Sequence, residues 1–223
     1  MRTFGLIAEG ETDQRVLRNI LVGFFEDEDE EPAMVPVQPK VDEAGGWTRV
    51  FNALKEGRHR EALSYVDYLV VQIDTDVCDE PGYDVSRRDA EGKPHSPADL
   101  VQAVAARLTK AMGADFFAEA GSRVILAIAV DSIECWLLPL LFDQRAKKAK
   151  VSGCEEAANK QLERRNEKPL STRSNKFLHR YEAVSRPYTK RKVLLAHRAE
   201  NPSLDLFVAS LEGLATVPTS GRP

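Results

Sequence analysis

The chain lacks any apolar run long enough to cross a bilayer. The longest, VILAIAV at 124–130, falls far short of the roughly 18 residues a spanning helix needs. Its beginning, MRTFGLIAEG, carries one basic residue and an acid where the small residues of an export cleavage site belong. That pattern predicts a protein that is not exported. Cysteine is scarce: Cys78, Cys135 and Cys154 are odd in number, widely spaced and in no CxxC pair. The spacing predicts neither a disulfide framework nor a zinc ribbon, but three ordinary thiols suited to a reducing cytoplasm. The four histidines, His59, His95, His179 and His197, fall at no metal-ligand spacing, and Ser86, Ser96 and Ser132 lack the setting of a nucleophile elbow. Neither GxxxxGKS nor GxxxxGKT occurs, so ATP hydrolysis would have to come from a partner protein.

Charge is plentiful and unevenly placed. Residues 145–198 hold sixteen Lys and Arg against five Asp and Glu, whereas the rest of the chain holds fifteen against thirty. The formal net charge of −4 therefore averages a basic segment with an acidic remainder, and a polyanion would meet the local field of the basic segment. On exposed helix faces the same Lys and Arg would only solvate the surface. The run EDEDEE at 26–31 predicts an exposed loop, because six like charges repel one another in any packed setting.

Hydrophobic residues make up 43% of the chain, and their periodicity separates strands from helices. RTFGLIA reads as a buried strand ended by Gly10, and Thr12 as the N-cap of a helix whose apolar stripe is Val16, Leu17, Ile20, Leu21, Phe24 and Phe25. AMVPVQPK offers a second strand, which Pro36 and Pro39 push toward a sheet edge. Gly45 and Gly46 precede a helix carrying Trp47, Val50, Phe51 and Leu54. VDYLVVQI at 66–73 predicts a central strand ending at Asp74, and the aperiodic stretch from Val77 to His95 a long loop of the kind that carries function. Ser96 and Pro97 mark the start of a helix with Leu100, Val101, Val104, Leu108 and Met112 inward. RVILAIAV is a further strand, DSIECWLLPLLF a helix bent at Pro139, and PSLDLFVASLEGL a docked terminal helix. Alternating strands and helices predict an α/β fold with a parallel sheet of about four strands covered on both faces. The expected organisation is an α/β domain over 1–143, a basic helical region over 144–214 packed on it, and a frayed tail over 215–223.

In such sheets ligands gather beyond the carboxyl ends of the strands. Glu9, the pair Asp74 and Asp76, and Asp131 with Glu134 all follow apolar strands. Mg²⁺ or Mn²⁺ takes oxygen ligands and keeps several waters, so two or three carboxylates suffice. Asp74 and Asp76 lie two apart, which on an extended chain points both the same way. Glu9 would complete the coordination or act as general base or acid toward a metal-bound water. Taken singly, each of these acids serves equally well as a polar strand end or a helix cap.

The arrangement LIAEGETDQRVL … LVVQIDTD resembles the TOPRIM domain, the metal-binding fold of topoisomerases, bacterial primases and several nuclease families, with a Glu after its first strand and a DxD after its third. IECWLLP, RPYTKRKVLLAHR and NPSLDLFVASL are similar to segments of small bacterial TOPRIM-like proteins of unassigned function. The resemblance implies that Glu9, Asp74 and Asp76 are catalytic and bind the metal, and that Glu134 is a further acidic member. It also implies Mg²⁺-dependent hydrolysis of nucleic acid, in a setting of genome defence beside a separately encoded ATPase. Lys176, Arg180, Lys190, Arg191 and Lys192 are then the candidates for holding the nucleic-acid backbone; Tyr188 could stack on a base, but reads first as a partly buried core tyrosine. The alternatives are a binding or regulatory module without chemistry, and a nucleotidyl transferase, which uses the same carboxylates and metal.

Overall fold

A computed structural model describes residues 1–40 and 42–215. Four parallel strands form one sheet in the order β2-β1-β3-β4: β1 is Thr3–Ile7, β2 Ala33–Gln38, β3 Tyr68–Asp74 and β4 Val124–Ala129. Between the strands run α1 (Glu11–Phe24), α2 (Trp47–Lys55), the short α3 (Arg58–Ala62), α4 (Pro97–Met112) and α5 (Ala114–Ala120). After β4 the chain is helical: a 3-10 turn over Ile133–Leu137, then α6 (Leu138–Leu141), α7 (Arg145–Lys148), α8 (Cys154–Arg164), α9 (Leu178–Ser185), α10 (Arg191–His197) and α11 (Pro202–Ala215). This is a Rossmann-like α/β architecture with a helical C-terminal extension. Among the described residues, no helix is long and apolar enough to cross a membrane.

Strand alternation builds a core on each face of the sheet. Phe4, Leu6, Tyr68, Val70, Ile125 and Ala127 point to one side, where α1, the Ile133–Leu137 turn and the C-terminal helices cover them. Ile7, Leu69, Val71, Ile73 and Ile128 point to the other, beneath α2 and α4. On α11, Leu204, Phe207, Val208 and Leu211 are buried in the first of these cores, and Phe207 stacks on Trp136 with ring centroids 5.1 Å apart. The C-terminal region thus closes the sheet face that α1 leaves half covered.

Local chemistry explains where elements begin, and corrects several expectations. Ser96 caps α4 as its sequence predicts, accepting the Asp99 N–H at 3.2 Å with Pro97 as the first helical residue. Thr12, by contrast, is not the cap of α1: the helix starts two residues earlier, from Gly10, whose carbonyl accepts the Gln14 N–H at 3.2 Å. A Cβ at Gly10 would stand 2.9 Å from Asp13 Oδ2, so the Asp13 carboxylate fills the place a capping side chain would take. Edge strand β2 skips a residue against β1, pairing Leu6 with Pro36 and Ile7 with Gln38, as suits a proline that cannot donate to a ladder. The predicted bent helix after β4 is two short pieces, with Pro139 in the first turn of the second, where its missing N–H is not needed. The predicted tail beyond α11, at 216–223, lies outside the described residues.

Two of the three thiols predicted to be free are joined: Cys135 and Cys154 form a disulfide, with Cα atoms 5.0 Å apart. Their separation of 19 residues hid the pairing. The chain passes through α6 and α7 and returns, placing the start of α8 against the Ile133–Leu137 turn. Cys78 remains a free, buried thiol.

Candidate metal centre

β1 and β3 are neighbours running in the same direction, so the residues that leave their carboxyl ends meet. Glu9 Oε1 accepts the Asp74 backbone N–H at 2.8 Å. Gln72, fully buried on β3, fixes both: its Oε1 accepts the Glu9 N–H at 3.0 Å and its Nε2 donates to Asp74 Oδ1 at 2.8 Å. Tyr83, from the long loop after β3, donates its hydroxyl to the Asp74 carbonyl at 2.9 Å. That loop, whose sequence shows no periodicity, therefore braces the rim of the sheet.

Glu134 enters from the 3-10 turn after β4 and is fully buried. Its Oε1 accepts from Lys176 Nζ at 2.8 Å and from the Tyr181 hydroxyl at 2.5 Å. Asp13, one turn into α1 and 3% exposed, completes the group. The Asp13 Oδ1 and Glu134 Oε2 atoms are buried without a hydrogen-bond partner among the described residues, an arrangement that buried carboxylates rarely tolerate.

Electrostatics ties these residues together. Burial pushes the Glu9 carboxyl up to about 8, with Asp13 and Asp76 adding to the rise and the Asp74 N–H opposing it. Burial likewise lifts Asp13 to about 7 against the pull of Lys176. Asp74 is raised well above the usual range by burial and by the charges of Glu9, Asp13 and Glu134. Glu134 shows the reverse balance: burial raises it, but the Lys176 ammonium and the hydrogen bonds from Lys176 and Tyr181 win and hold it low. Lys176 is raised in turn, the desolvation cost of its ammonium being outweighed by Glu134 and Asp13. Carboxylates crowded this way lack positive charge, and in its absence they hold protons.

The sequence-predicted residues fall into two places. Glu9, Asp74 and Glu134 share the rim. Asp76 lies near enough to raise Glu9, yet β3 ends at Asp74 and Asp76 is exposed in the turn that follows. β3 therefore ends before the extended geometry that would align Asp76 with Asp74. Among the described residues, Glu9, Asp74 and Asp76 do not bring three ligand oxygens within 4.8 Å of one another. The group that meets that spacing is Asp131, Cys135 and Cys154, and its sulfurs are bonded to each other.

Of the basic candidates, Lys176 stands in the acidic cluster and not on a basic surface. Arg180 pairs with Glu167 at 3.0 Å. Lys190 pairs with Glu26 at 2.7 Å and Arg191 with Asp27 at 3.3 Å, while Lys192 is exposed and makes no ion pair among the described residues. The EDEDEE run is thus a surface loop whose acids meet cations: Glu28 pairs with Arg2 at 2.8 Å and Glu31 with Arg18 at 2.6 Å. Tyr188 is fully buried, donating to the Trp136 carbonyl at 2.7 Å, so it is not a stacking surface.

Asp13, Gln72, Tyr83 and Tyr181 belong to the cluster, and none of them is among the sequence-predicted site residues. A signal existed for two. Gln72 is the one polar residue inside the apolar run YLVVQI, and Asp13 follows Glu9 by four positions across a strand-to-helix turn. Tyr181 and Lys176 arrive from about 40 residues beyond Glu134 and carry no local mark. Compared with models of protein families, with curated proteins and with solved structures, the chain matches none.

Proposed function

We propose that the chain is a divalent-metal-dependent phosphodiesterase acting on nucleic acid, built on a TOPRIM-like α/β domain. The observation that carries this reading is the convergence of Glu9 and Asp74 from adjacent parallel strands, beside buried carboxylate oxygens of Asp13 and Glu134 that have no hydrogen-bond partner among the described residues. Such a donor set fits a hard cation with oxygen ligands. Glu9, Asp74 and Asp76 would hold Mg²⁺ or Mn²⁺, with Glu134 and Asp13 adding negative charge behind them. When bound, the ion would neutralise charge developing on a phosphoryl group and acidify a water. Gln72 orients the two central acids, and Tyr83 holds the backbone of Asp74. The exposed Lys192 and neighbouring basic residues would meet the nucleic-acid backbone. A cytoplasmic setting, a role in genome defence and an ATPase partner belong to the same proposal.

One observation favours a rival. Lys176 already places an ammonium at Glu134, and a cluster neutralised from within would suit a nucleic-acid or partner-binding module that performs no chemistry. Metal-dependent turnover separates the two. Single- and double-stranded DNA and RNA are incubated with Mg²⁺ or Mn²⁺, the wild type and the Asp74→Asn and Asp76→Ala variants, whose folding is checked by circular dichroism. The phosphodiesterase reading requires cleavage by the wild type and its loss in both variants. Equal cleavage, or none under any metal, removes it, and product growth when nucleotides are supplied would indicate nucleotidyl transfer.

A further inference from the structure

Cys135 directly follows Glu134, and Cys154 directly precedes Glu155. Among the described residues those two acids are within ion-pair distance of Lys176, whose Nζ lies 2.8 Å from Glu134 and 3.9 Å from Glu155. The segment that delivers Lys176, residues 170–177, is a short hairpin closed by the bridge between Ser171 and Lys176 and by the Phe177 N–H to the Leu170 carbonyl and the Thr172 N–H to the Asn175 carbonyl, both at 2.8 Å. α8 ties this hairpin to the rest of the chain. Leu170 N donates to Asn159 Oδ1 at 2.7 Å, Asn159 Nδ2 donates to Ser171 Oγ at 3.0 Å, and the Ser171 hydroxyl donates to Glu155. The disulfide bolts α8 to the Ile133–Leu137 turn. Glu134, Cys135, Cys154, Glu155 and Lys176 therefore close a ring, in which one covalent crosslink fixes the distance between the two acids that hold the ammonium.

The rest of the ring is weaker than the crosslink. α8 starts from Gly153 with φ of +60° and no side-chain cap from that residue, and its first turn is held at Cys154, through the disulfide and through the Cys154 N–H donated to Asp131 Oδ2 at 3.4 Å. The Lys176 side chain is 44% exposed, which leaves it an open path to solvent.

We propose that Cys135 and Cys154 form a thiol–disulfide switch that keeps Lys176 among the carboxylates when oxidised and releases it when reduced. A dithiol reductant breaks the Sγ–Sγ bond, passes two electrons and two protons to the pair, and leaves as its own disulfide. Both sulfurs are buried, so the attack follows local opening of the first turn of α8. Cys78 takes no part: it is buried, and burial pushes its thiol up. The consequence for metal binding rests on the reading above. Release of Lys176 removes a positive charge from the site that a divalent cation would then fill.

The test needs neither metal nor nucleic acid. The full chain is treated with a mild oxidant or with dithiothreitol, moved into thiol-free anaerobic buffer, and labelled with a limiting dose of an amine-acylating reagent. Peptide mass spectrometry then compares Lys176 with the exposed Lys192. Reduction should speed labelling of Lys176 about tenfold or more relative to Lys192. Equal rates in the two states overturn the switch, as does recovery of three free thiols from the oxidised sample. A Cys135→Ser, Cys154→Ser double variant should label fast after either treatment, and the wild-type comparison decides the matter should that variant fail to fold. Mn²⁺ binding, followed by electron paramagnetic resonance, separates the two proposals. Tighter binding by the reduced chain supports gating, and equal binding in both states removes it. Absence of binding in both states removes the metal reading, and the labelling result still decides the switch.

Discussion

Gln72 and Asp74 share one face of β3, and the Gln72 amide donates to the Asp74 carboxylate at 2.8 Å while its carbonyl receives the Glu9 N–H at 3.0 Å. One buried amide thus sets the relative position of two acids that are 65 residues apart. Groups behind metal ligands typically contribute about 10- to 100-fold in affinity. Gln72→Leu keeps the apolar volume but frees both acids, and should weaken Mn²⁺ binding by about that factor, read by titration. Unchanged affinity in a folded variant would show that Glu9 and Asp74 hold their places without it.

Stability of the metal-free chain should depend on pH in a defined direction. Glu9, raised to about 8, and Asp13, raised to about 7, keep protons in the folded state that the unfolded chain has lost above its ordinary values of 4.5 and 3.8. The folded state then binds more protons, so these two groups make stability fall as pH rises from about 4 to about 8, and Asp74, also raised, acts in the same direction. Glu134, held low, loses its contribution only below its ordinary 4.5. Lys176, raised, loses its own only as pH climbs past its ordinary 10.5. Thermal melts should give a lower Tm at pH 8.5 than at pH 5.5, by about 2–4 °C for each kcal/mol, with Mg²⁺ restoring part of the difference at the higher pH. A Tm that rises over this interval would contradict the uncompensated cluster.

The strands, the helices around them and the acids at their ends were legible because hydrophobic periodicity and strand ends are local properties. Glu9 and Asp74 needed only that β1 and β3 be neighbours, which βαβ alternation makes natural. What was not legible came from distance. Lys176 reads as one more residue of a basic segment, and only the return of the chain over α8 and α9 sets it against Glu134. The same return pairs Cys135 with Cys154, and it puts Lys190 and Arg191 beside Glu26 and Asp27. Thr12 was misjudged for a different reason: side-chain caps are favoured on average, but here Asp13 folds back over Gly10.

Packing of the C-terminal region on α1 can be tested without reference to the site. A Cβ placed on Gly23 would lie 1.8 Å from the Tyr188 carbonyl oxygen, a backbone atom that cannot swing aside as a side chain would. Gly23→Ala should therefore destabilise the protein by about 1–3 kcal/mol, the usual range for overpacking, even though alanine favours helix. Chemical denaturation measures this, and a neutral or stabilising effect would mean that α1 and the 186–189 turn do not pack this closely.

The basic residues near the C-terminus differ in what they are free to do. Lys190 spends its charge on Glu26, which its ammonium and the Arg191 N–H hold below the usual carboxylate range, whereas Lys192 has no such partner among the described residues. A lysine that neutralises one phosphate contributes about 0.9 to the slope of log K against log salt on duplex DNA. On the nucleic-acid reading, Lys192→Ala should lower that slope by about 0.9. Lys190→Ala should lower it less, since its removal also leaves Glu26 unneutralised close to the same surface. Binding isotherms over a range of salt concentrations decide between them. Equal losses at both positions would mean that the Lys190–Glu26 pair opens on binding, and no loss at Lys192 would place the nucleic acid on another face.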